Sequence, residues 1–222
     1  MKKTEEKRVD FEELREWMRV FINDNAIYRV APWEKPIPGK GEHTTYTWQF
    51  YTRRAIFNSA FARGIGLFFW QMYKDEFIQR PFQIGGCETS GVPVACAIQA
   101  VGLELGIQVN TFAIRQNRKA YGLFNWVEGI ILDDVPVLLV DDVAASQITL
   151  RNNEQLLKRN NYEMYGSYFT VINKQGKNCA GHPSNLIPGQ QLRYIFNIDD
   201  FDMSWSEYVD KFHQEPPFKY SF

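Results

Sequence analysis

An α/β fold with a mostly parallel sheet flanked by helices is what three features of this 222-residue chain predict. Strand-like apolar segments alternate with helix-like segments between residues 81 and 172. The run at residues 135–140 is apolar with one proline in it, as a strand covered on both faces requires. Turn or helix-start signals follow the strands, clearest in the stretch GGCETSG ahead of Pro93.

The elements follow in order. Asp10 stands where it can cap a helix, with Glu13 three residues on, and Phe11, Leu14, Met18, Phe21 and Ile22 make one apolar stripe. Residues 31–42 predict loop through their Pro and Gly content. Residues 44–51, rich in Thr and aromatics, predict one strand or hairpin arm. Residues 54–72 predict a single helix facing a core through Ile56, Phe57, Ala60, Phe61, Ile65, Phe68 and Phe69, weakened by Gly64 and Gly66. A short strand at 81–84 then enters a Gly-rich turn, and a helix carries Val94, Ala97, Ile98, Val101 and Leu105. Residues 107–114 predict the next strand, and a charged segment, RQNRKAYG, leads on to Trp126 and Val127. Residues 135–140 form the central strand, followed by a helix from Ile148 that carries Leu150, Leu156 and Leu157. Strands at 168–172 and, at an edge, 194–198 follow; Trp205, Tyr208, Val209 and Phe212 suit a short packed helix. The organisation expected is an N-terminal helix and hood segment at 1–43, a core at 44–180 and a divergent tail at 181–222, the tail a candidate contributor to the hood.

Composition narrows the function classes. A hydrophobic fraction of 45% with 17 Phe, 11 Tyr and 6 Trp argues for a folded core. A formal net charge of -1 argues against nucleic-acid binding by counterion release, and leaves room for a protein interface. The charged N-terminus lacks the apolar stretch of a signal peptide, and residues 60–72, interrupted by Arg63 and two glycines, are too short to span a bilayer. Cys87, Cys96 and Cys179 are an odd set without metal spacing, which fits a reducing cytoplasm. His43, His182 and His213 are widely separated, and nothing suggests zinc.

Open parallel sheets bind ligands beyond the carboxyl ends of their strands, and three segments fall there: 85–91, 115–122 and 141–149. In the third, the central strand delivers Asp141 and Asp142 to a small polar loop and a helix start. Loop amides and a helix dipole suit a phosphate, and the acids suit hydroxyls or a metal-bound sugar. The bland alternative is a strand end with a solvated acid pair.

Together these segments resemble a type I phosphoribosyltransferase, with orotate phosphoribosyltransferase the nearest kind; the likeness is strongest over residues 82–150 and poor after 172. The resemblance implies a parallel-sheet core with a hood, phosphoribosyl pyrophosphate as donor, Mg²⁺ as cofactor and a homodimer. The family's ribose-phosphate motif is an apolar strand, two acids and a loop like DDVxTTGGT; here it reads VLLVDDVAASQITL. By position, Asp141 and Asp142 would meet the ribose hydroxyls and the metal. Ala145, Ser146, Gln147, Ile148 and Thr149 would receive the 5'-phosphate. Gln147 and Ile148 stand where the family has glycines, which reach positive φ at little cost; Gln does so at more and Ile at more still. Ala145 lacks a hydroxyl often supplied there.

IGGCETSGVPVA is similar to the family's pyrophosphate loop, so Gly85, Gly86, Cys87, Glu88, Thr89, Ser90 and Gly91 would face the leaving diphosphate, with a helix starting near Val92. The alternative is a turn that merely joins strand to helix, and Cys87 reads as a buried small side chain rather than a nucleophile. The segment from Arg115 resembles the mobile catalytic loop RKxxKDHG, with Arg115 and Lys119 as the cations that meet developing charge. Gln116, Ala120 and Tyr121 replace its usual Lys, Asp and His, and the alternative is an exposed basic loop. A planar base is expected near Trp48, Phe50 and Tyr51 with Arg53 or Arg54, although alternating aromatics are also ordinary sheet-core residues. Lys174 and Lys177 offer another basic edge.

The leading expectation is transfer of a phosphoribosyl group to a nitrogenous base, orotate or pyrimidine-like, with diphosphate release. The rival is a catalytically degenerate member of the fold that senses a nucleotide or docks a protein partner. A nucleic-acid-associated role is a distant third, and no membrane is involved.

Overall fold

Residues 9–31, 33–38, 45–115, 126–145, 147–174 and 191–201 are described in the computed structural model. In chain order the elements are α1 (Phe11–Asn25), β1 (Ile27–Arg29), β2 (Ile37–Pro38), β3 (Thr45–Tyr46), β4 (Trp48–Phe50), α2 (Arg53–Ile56), α3 (Ser59–Gln79), β5 (Gln83–Cys87), α4 (Gly91–Glu104), β6 (Thr111–Ile114), β7 (Val127–Glu128), β8 (Val137–Ala144), α5 (Ile148–Arg159), β9 (Met164–Asn173) and β10 (Gln191–Asn197).

The start of α1 is set as expected: the Asp10 carboxylate accepts from the amides of Glu12 at 3.0 Å and Glu13 at 3.1 Å, a cap worth about 1 kcal/mol. Met18 and Ile22 of its stripe are buried. The 44–51 segment is two short strands rather than one. β4 pairs antiparallel with β1, a strand that too few residues mark in the sequence, and β3 pairs with β2 inside the stretch expected to be loop.

The single helix expected over 54–72 is two. Asn58 takes an extended conformation and its side chain accepts from the Phe61 amide at 3.1 Å, so it caps a new helix where the first has ended. The break turns Phe57 outward, 71% exposed, and Ala60 is exposed as well, so neither belongs to the core assigned to them. α3 instead buries Phe61, Ile65, Phe68, Phe69, Trp70 and Tyr73 and runs on to Gln79.

α3 is covered on three sides, and its two glycines explain how. A Cβ at Gly64 would sit 2.5 Å from the Met18 sulfur of α1, and one at Gly66 would sit 2.7 Å from the Ala97 carbonyl of α4. The third side faces the sheet: Phe69 stacks on Tyr73 at 4.6 Å and meets Phe82 and Phe169 edge-on. The polar tips are satisfied: Trp70 Nε1 donates to the Ile98 carbonyl at 2.8 Å, and the Tyr73 hydroxyl shares a 2.7 Å hydrogen bond with Ser167. Each such side chain contributes about 1.5–3 kcal/mol by burial.

The main sheet has the order β10-β9-β8-β5-β6-β7. All neighbours are parallel except β6 and β7, so the predicted fold class is the observed one. The strands extend differently from their expected limits. β5 begins later and takes in Gly85, Gly86 and Cys87, which were expected in the turn; β8 runs through both acids to Ala144; β6 is shorter, and β9 and β10 are longer. Alternation along β8 sorts its side chains: Leu138 and Val140 pack with α1, α3 and α4, whereas Val137 and Leu139 pack with α5. The chain leaves β5 toward β6 on one side and returns to β8 on the other. The crevice between the carboxyl ends of β5 and β8 is therefore the switch point at which such sheets hold ligands.

The amino-terminal layer is tied to the last described strand. Arg15 meets Asp200 at 2.6 Å and donates to the Ile195 carbonyl, and Phe50 packs edge-on against Phe201 at 5.4 Å. Among the described residues no helix is long and apolar enough to cross a membrane.

Gly66→Ala is expected to lower stability by about 1–2 kcal/mol, because overpacking at the α3–α4 contact outweighs the helix propensity gained. Thermal denaturation of the variant checks this; an unchanged or raised midpoint would contradict the packing account.

Candidate functional site

The turn after β5 lies directly on the end of β8. A Cβ at Gly91 would stand 2.5 Å from the Val140 carbonyl oxygen, and one at Gly86 would stand 2.7 Å from the Gly91 carbonyl. Both contacts are to backbone, which cannot yield, so only glycine fits. The missing side chain of Gly91, one of the residues expected to face the diphosphate, is used here by the sheet itself. Gly85, Gly86 and Cys87 are buried in the strand, which leaves Glu88, Thr89 and Ser90 as the turn proper, and α4 starts at Gly91, next to the expected Val92. The Glu88–Thr89 peptide is cis. The Glu88 amide donates to the Ile114 carbonyl at 2.8 Å, which anchors the turn to β6 as well.

Asp141 and Asp142 do not project beyond a strand end but are part of β8. Asp142 carries the mooring. Its Oδ1 accepts from the Val143 amide at 2.8 Å, and its Oδ2 accepts a short hydrogen bond from the hydroxyl of Thr52, a buried residue of the amino-terminal layer. Its own amide donates to Asp141 Oδ1 at 2.9 Å. Asp141 is 9% exposed and pairs in register with Thr170 of β9. Thr52 is a site residue the sequence reading missed. A lone threonine flanked by aromatics and arginines carries no local sign that it will meet an acid 90 positions later.

Asp141 belongs to a cluster on the α5 side with Cys87 and Asn153. Burial pushes the Cys87 thiol well above its ordinary range, the Asp141 charge pushes it further, and a hydrogen bond with Asn153 opposes both. The thiol is therefore neutral, in keeping with the reading of Cys87 as a buried small side chain.

In the loop before α5, Gln147 takes the left-handed conformation, φ 58, at a place where the family has glycine. A non-glycine residue held there costs on the order of 1–3 kcal/mol. Gln147 is buried, and its Nε2 has no hydrogen-bond partner among the described residues. Ile148 is 52% exposed, Ala145 is exposed, and Thr149 is partly buried in the first turn of α5. Ser146 lies outside the described residues.

Arg115 leaves β6 with its guanidinium 3.5 Å from Glu128 and 4.0 Å from Glu88. It lines a cleft of about 700 Å³ with Glu88, Thr89 and Glu128 above an apolar floor that includes Val92 and Ala97. Lys119 and the remainder of the loop at 116–125 lie outside the described residues, as do Lys177 and the expected helix at 205–212. β7 pairs antiparallel with β6. Of the aromatics considered for a base, Phe50 is buried against Trp48 and Phe201, as a sheet-core residue should be. Lys174 lies 4.8 Å from the Trp48 ring centroid. Tyr51 is exposed.

The acid pair offers oxygen donors only, which suits a hard divalent cation such as Mg²⁺. Among the described residues no group of three or more His, Cys, Asp or Glu could hold a metal. A cation held by this pair would need its remaining ligands from beyond the described side chains.

Two outcomes test this geometry. Thr52→Val is expected to cost about 1–2 kcal/mol by removing the donor to Asp142, with Thr52→Ser retaining most of that stability; equal melting temperatures for wild type and Thr52→Val would contradict the bond. Iodoacetamide at about pH 8 is expected to modify Cys96, which is exposed, and to spare Cys87 until the protein unfolds. Peptide mass spectrometry reads the difference, and rapid native labelling of Cys87 would contradict its burial.

No family model matches the sequence. The chain is 27% identical over 139 residues to the orotate phosphoribosyltransferase of Tropheryma whipplei (strain Twist), a match that covers 63% of this chain and 61% of that protein; strain TW08/27 gives the same values. Among solved structures, a phosphoribosyltransferase from Corynebacterium diphtheriae superposes with TM-score 0.65 at 18% identity, covering 85% of this chain and 98% of that one. Mycobacterium tuberculosis orotate phosphoribosyltransferase, solved in complex with 5-phospho-alpha-D-ribosyl 1-diphosphate, gives TM-score 0.62 at 18% identity, with coverages of 84% and 98%. An adenine phosphoribosyl transferase from Trypanosoma brucei gives TM-score 0.53 at 18% identity, covering 91% of this chain and 86% of that one. The chain has a phosphoribosyltransferase-like fold, related at low sequence identity to that of the orotate phosphoribosyltransferases.

Proposed function

We propose that the protein transfers the 5-phosphoribosyl group of phosphoribosyl pyrophosphate to a nitrogenous base, orotate or a pyrimidine-like ring, and releases diphosphate. The observation that carries this reading is the acid pair of β8 beside the β5–α4 turn, at the switch point of a phosphoribosyltransferase-like sheet. Sugar hydroxyls would donate to Asp141 and Asp142, while the loop at 145–149 receives the 5'-phosphate. Gln147 Nε2, a buried donor without an acceptor among the described residues, supports an anion there. Residues 88–90 would meet the diphosphate, with Arg115 and Lys119 neutralising charge as the bond to C1 breaks and a ring nitrogen attacks that carbon. No protein nucleophile is required. Asp141 and Asp142 would hold Mg²⁺, which when bound supplies divalent counter-charge to the diphosphate. The acceptor is assigned only as a class, since orotate and adenine enzymes both share the fold. A homodimer is part of the same proposal.

A second reading, a nucleotide sensor or docking protein without turnover, is favoured by one observation: Gln147 brings a buried side chain into the loop where a phosphate would be cradled by glycine.

The assay is diphosphate release from phosphoribosyl pyrophosphate across a panel of bases. Turnover is expected with at least one base and should fall by about 100-fold or more in Asp142→Asn and in Lys119→Ala. If neither base-dependent diphosphate nor a nucleoside monophosphate forms, transfer is excluded. Nucleotide-dependent thermal stabilisation without turnover would then support the sensor, and calorimetry without nucleotide binding would exclude it too.

A further inference from the structure

The hydroxyl that Thr52 presents to Asp142 comes from a rigid part of the amino-terminal layer. The Thr52 carbonyl accepts from the amides of Ala55 and Ile56, both at 2.9 Å, and both of those residues are buried. On its other side the Tyr51 amide donates at 2.7 Å to the carbonyl of Ala26, where α1 ends. Thr52 is thus fixed between the end of α1 and the single turn of α2, and it is itself buried.

A donor fixed in this way differs from a surface hydroxyl. Backbone on both sides sets its direction, and leaving its acceptor would cost a buried hydrogen bond. Asp142 receives it on Oδ2 while the Val143 amide holds Oδ1, so two elements far apart in the chain fix the plane of the carboxylate. Each oxygen keeps a further lone-pair direction for a ligand.

The layer has a second tie, on its far side. Arg15 of α1 meets Asp200 and the Ile195 carbonyl, and Phe50, two residues before Thr52, packs against Phe201. The position of α1 bears on Thr52 through the bond between Ala26 and Tyr51. Two sites linked in this way influence each other equally in both directions.

We infer that Thr52 is a positioning residue for Asp142, through which the amino-terminal layer sets how tightly the acid pair holds a ligand, while the ligand in turn tightens the layer. This rests on the acid pair being the sugar-phosphate site of the reading above, with or without turnover.

Calorimetry with phosphoribosyl pyrophosphate and Mg²⁺, and with uridine monophosphate, tests it at a temperature where every variant is folded. Thr52→Val is expected to weaken binding by about three- to tenfold, the worth of one hydrogen bond, and Thr52→Ser to keep it within about twofold of wild type. Arg15→Gln should weaken binding by about two- to fourfold on its own and add nothing in the Thr52→Val background. Ligand should slow hydrogen exchange at the Tyr51 amide in wild type and not in Thr52→Val. Where turnover is present, KM should rise with Kd while kcat stays within about twofold, because the bond to Asp142 serves ground and transition states alike. Unchanged binding in Thr52→Val, an equal loss in Thr52→Ser, or an Arg15→Gln effect that persists without the hydroxyl overturns the inference and leaves transfer standing. Absence of turnover with these binding differences intact removes transfer alone. If wild type binds neither probe, both fall.

Discussion

The contact on which the site depends is between backbone and backbone. The turn that closes β5 and opens α4 rests on the carbonyl of Val140, with no room for a Cβ at Gly86 or Gly91. That contact sets the turn and the two acids of β8 side by side, although more than 50 residues separate them in the chain. Neighbouring parallel strands lie some 5 Å apart, with their side chains above and below the sheet. Removing two side chains brings one peptide chain down onto the other, so whatever enters the crevice meets both segments at once.

The same device, omission of a side chain, also places the layer behind the site. Gly66 lets α3 approach α4, and Gly64 accommodates α1. α3 thereby becomes a buried post, and the segment that precedes it, with Thr52, is brought over the end of β8. From there a single hydroxyl reaches Asp142. The acid is held by its own strand on one oxygen and by the amino-terminal layer on the other, so it is oriented before any ligand arrives. Such orientation in advance is what an electrostatic site requires.

Much of this was legible in the sequence because it depends on local rules. Asp10 capping α1, the alternation of strands with helices, the buried run of β8 and the start of α5 at Ile148 follow from propensity, periodicity and capping. The strand limits were less legible. Gly-Gly-Cys reads as a turn in isolation and is a buried strand only because β6 and β8 flank it. Asp141 and Asp142 read as a strand end, yet β9 continues to pair alongside them, Asp141 with Thr170 and Val143 with Ile172. The helix break at Asn58 left a trace in its capping residue, overridden by the apolar pattern on either side. Thr52 left none, since its role is fixed by tertiary contact alone. Gln147 shows the converse: the resemblance marked the place where glycine is usual, and the chain meets the demand with a residue poorly suited to it.

Arg15 joins a helix at the beginning of the chain to Asp200, close to the end of the described chain, and Phe50 joins Phe201 in the same way. On a ribosome Arg15 and Phe50 emerge well before Asp200 and Phe201. The first helix can lay its apolar stripe on α3 once some 80 residues have been made, but its ionic mooring waits until β10 is out of the exit tunnel. During that interval the Arg15 guanidinium and the Phe50 ring lack the partners that hold them in the finished fold. The topology thus makes the first described helix wait for the last described strand before its ionic tie can form.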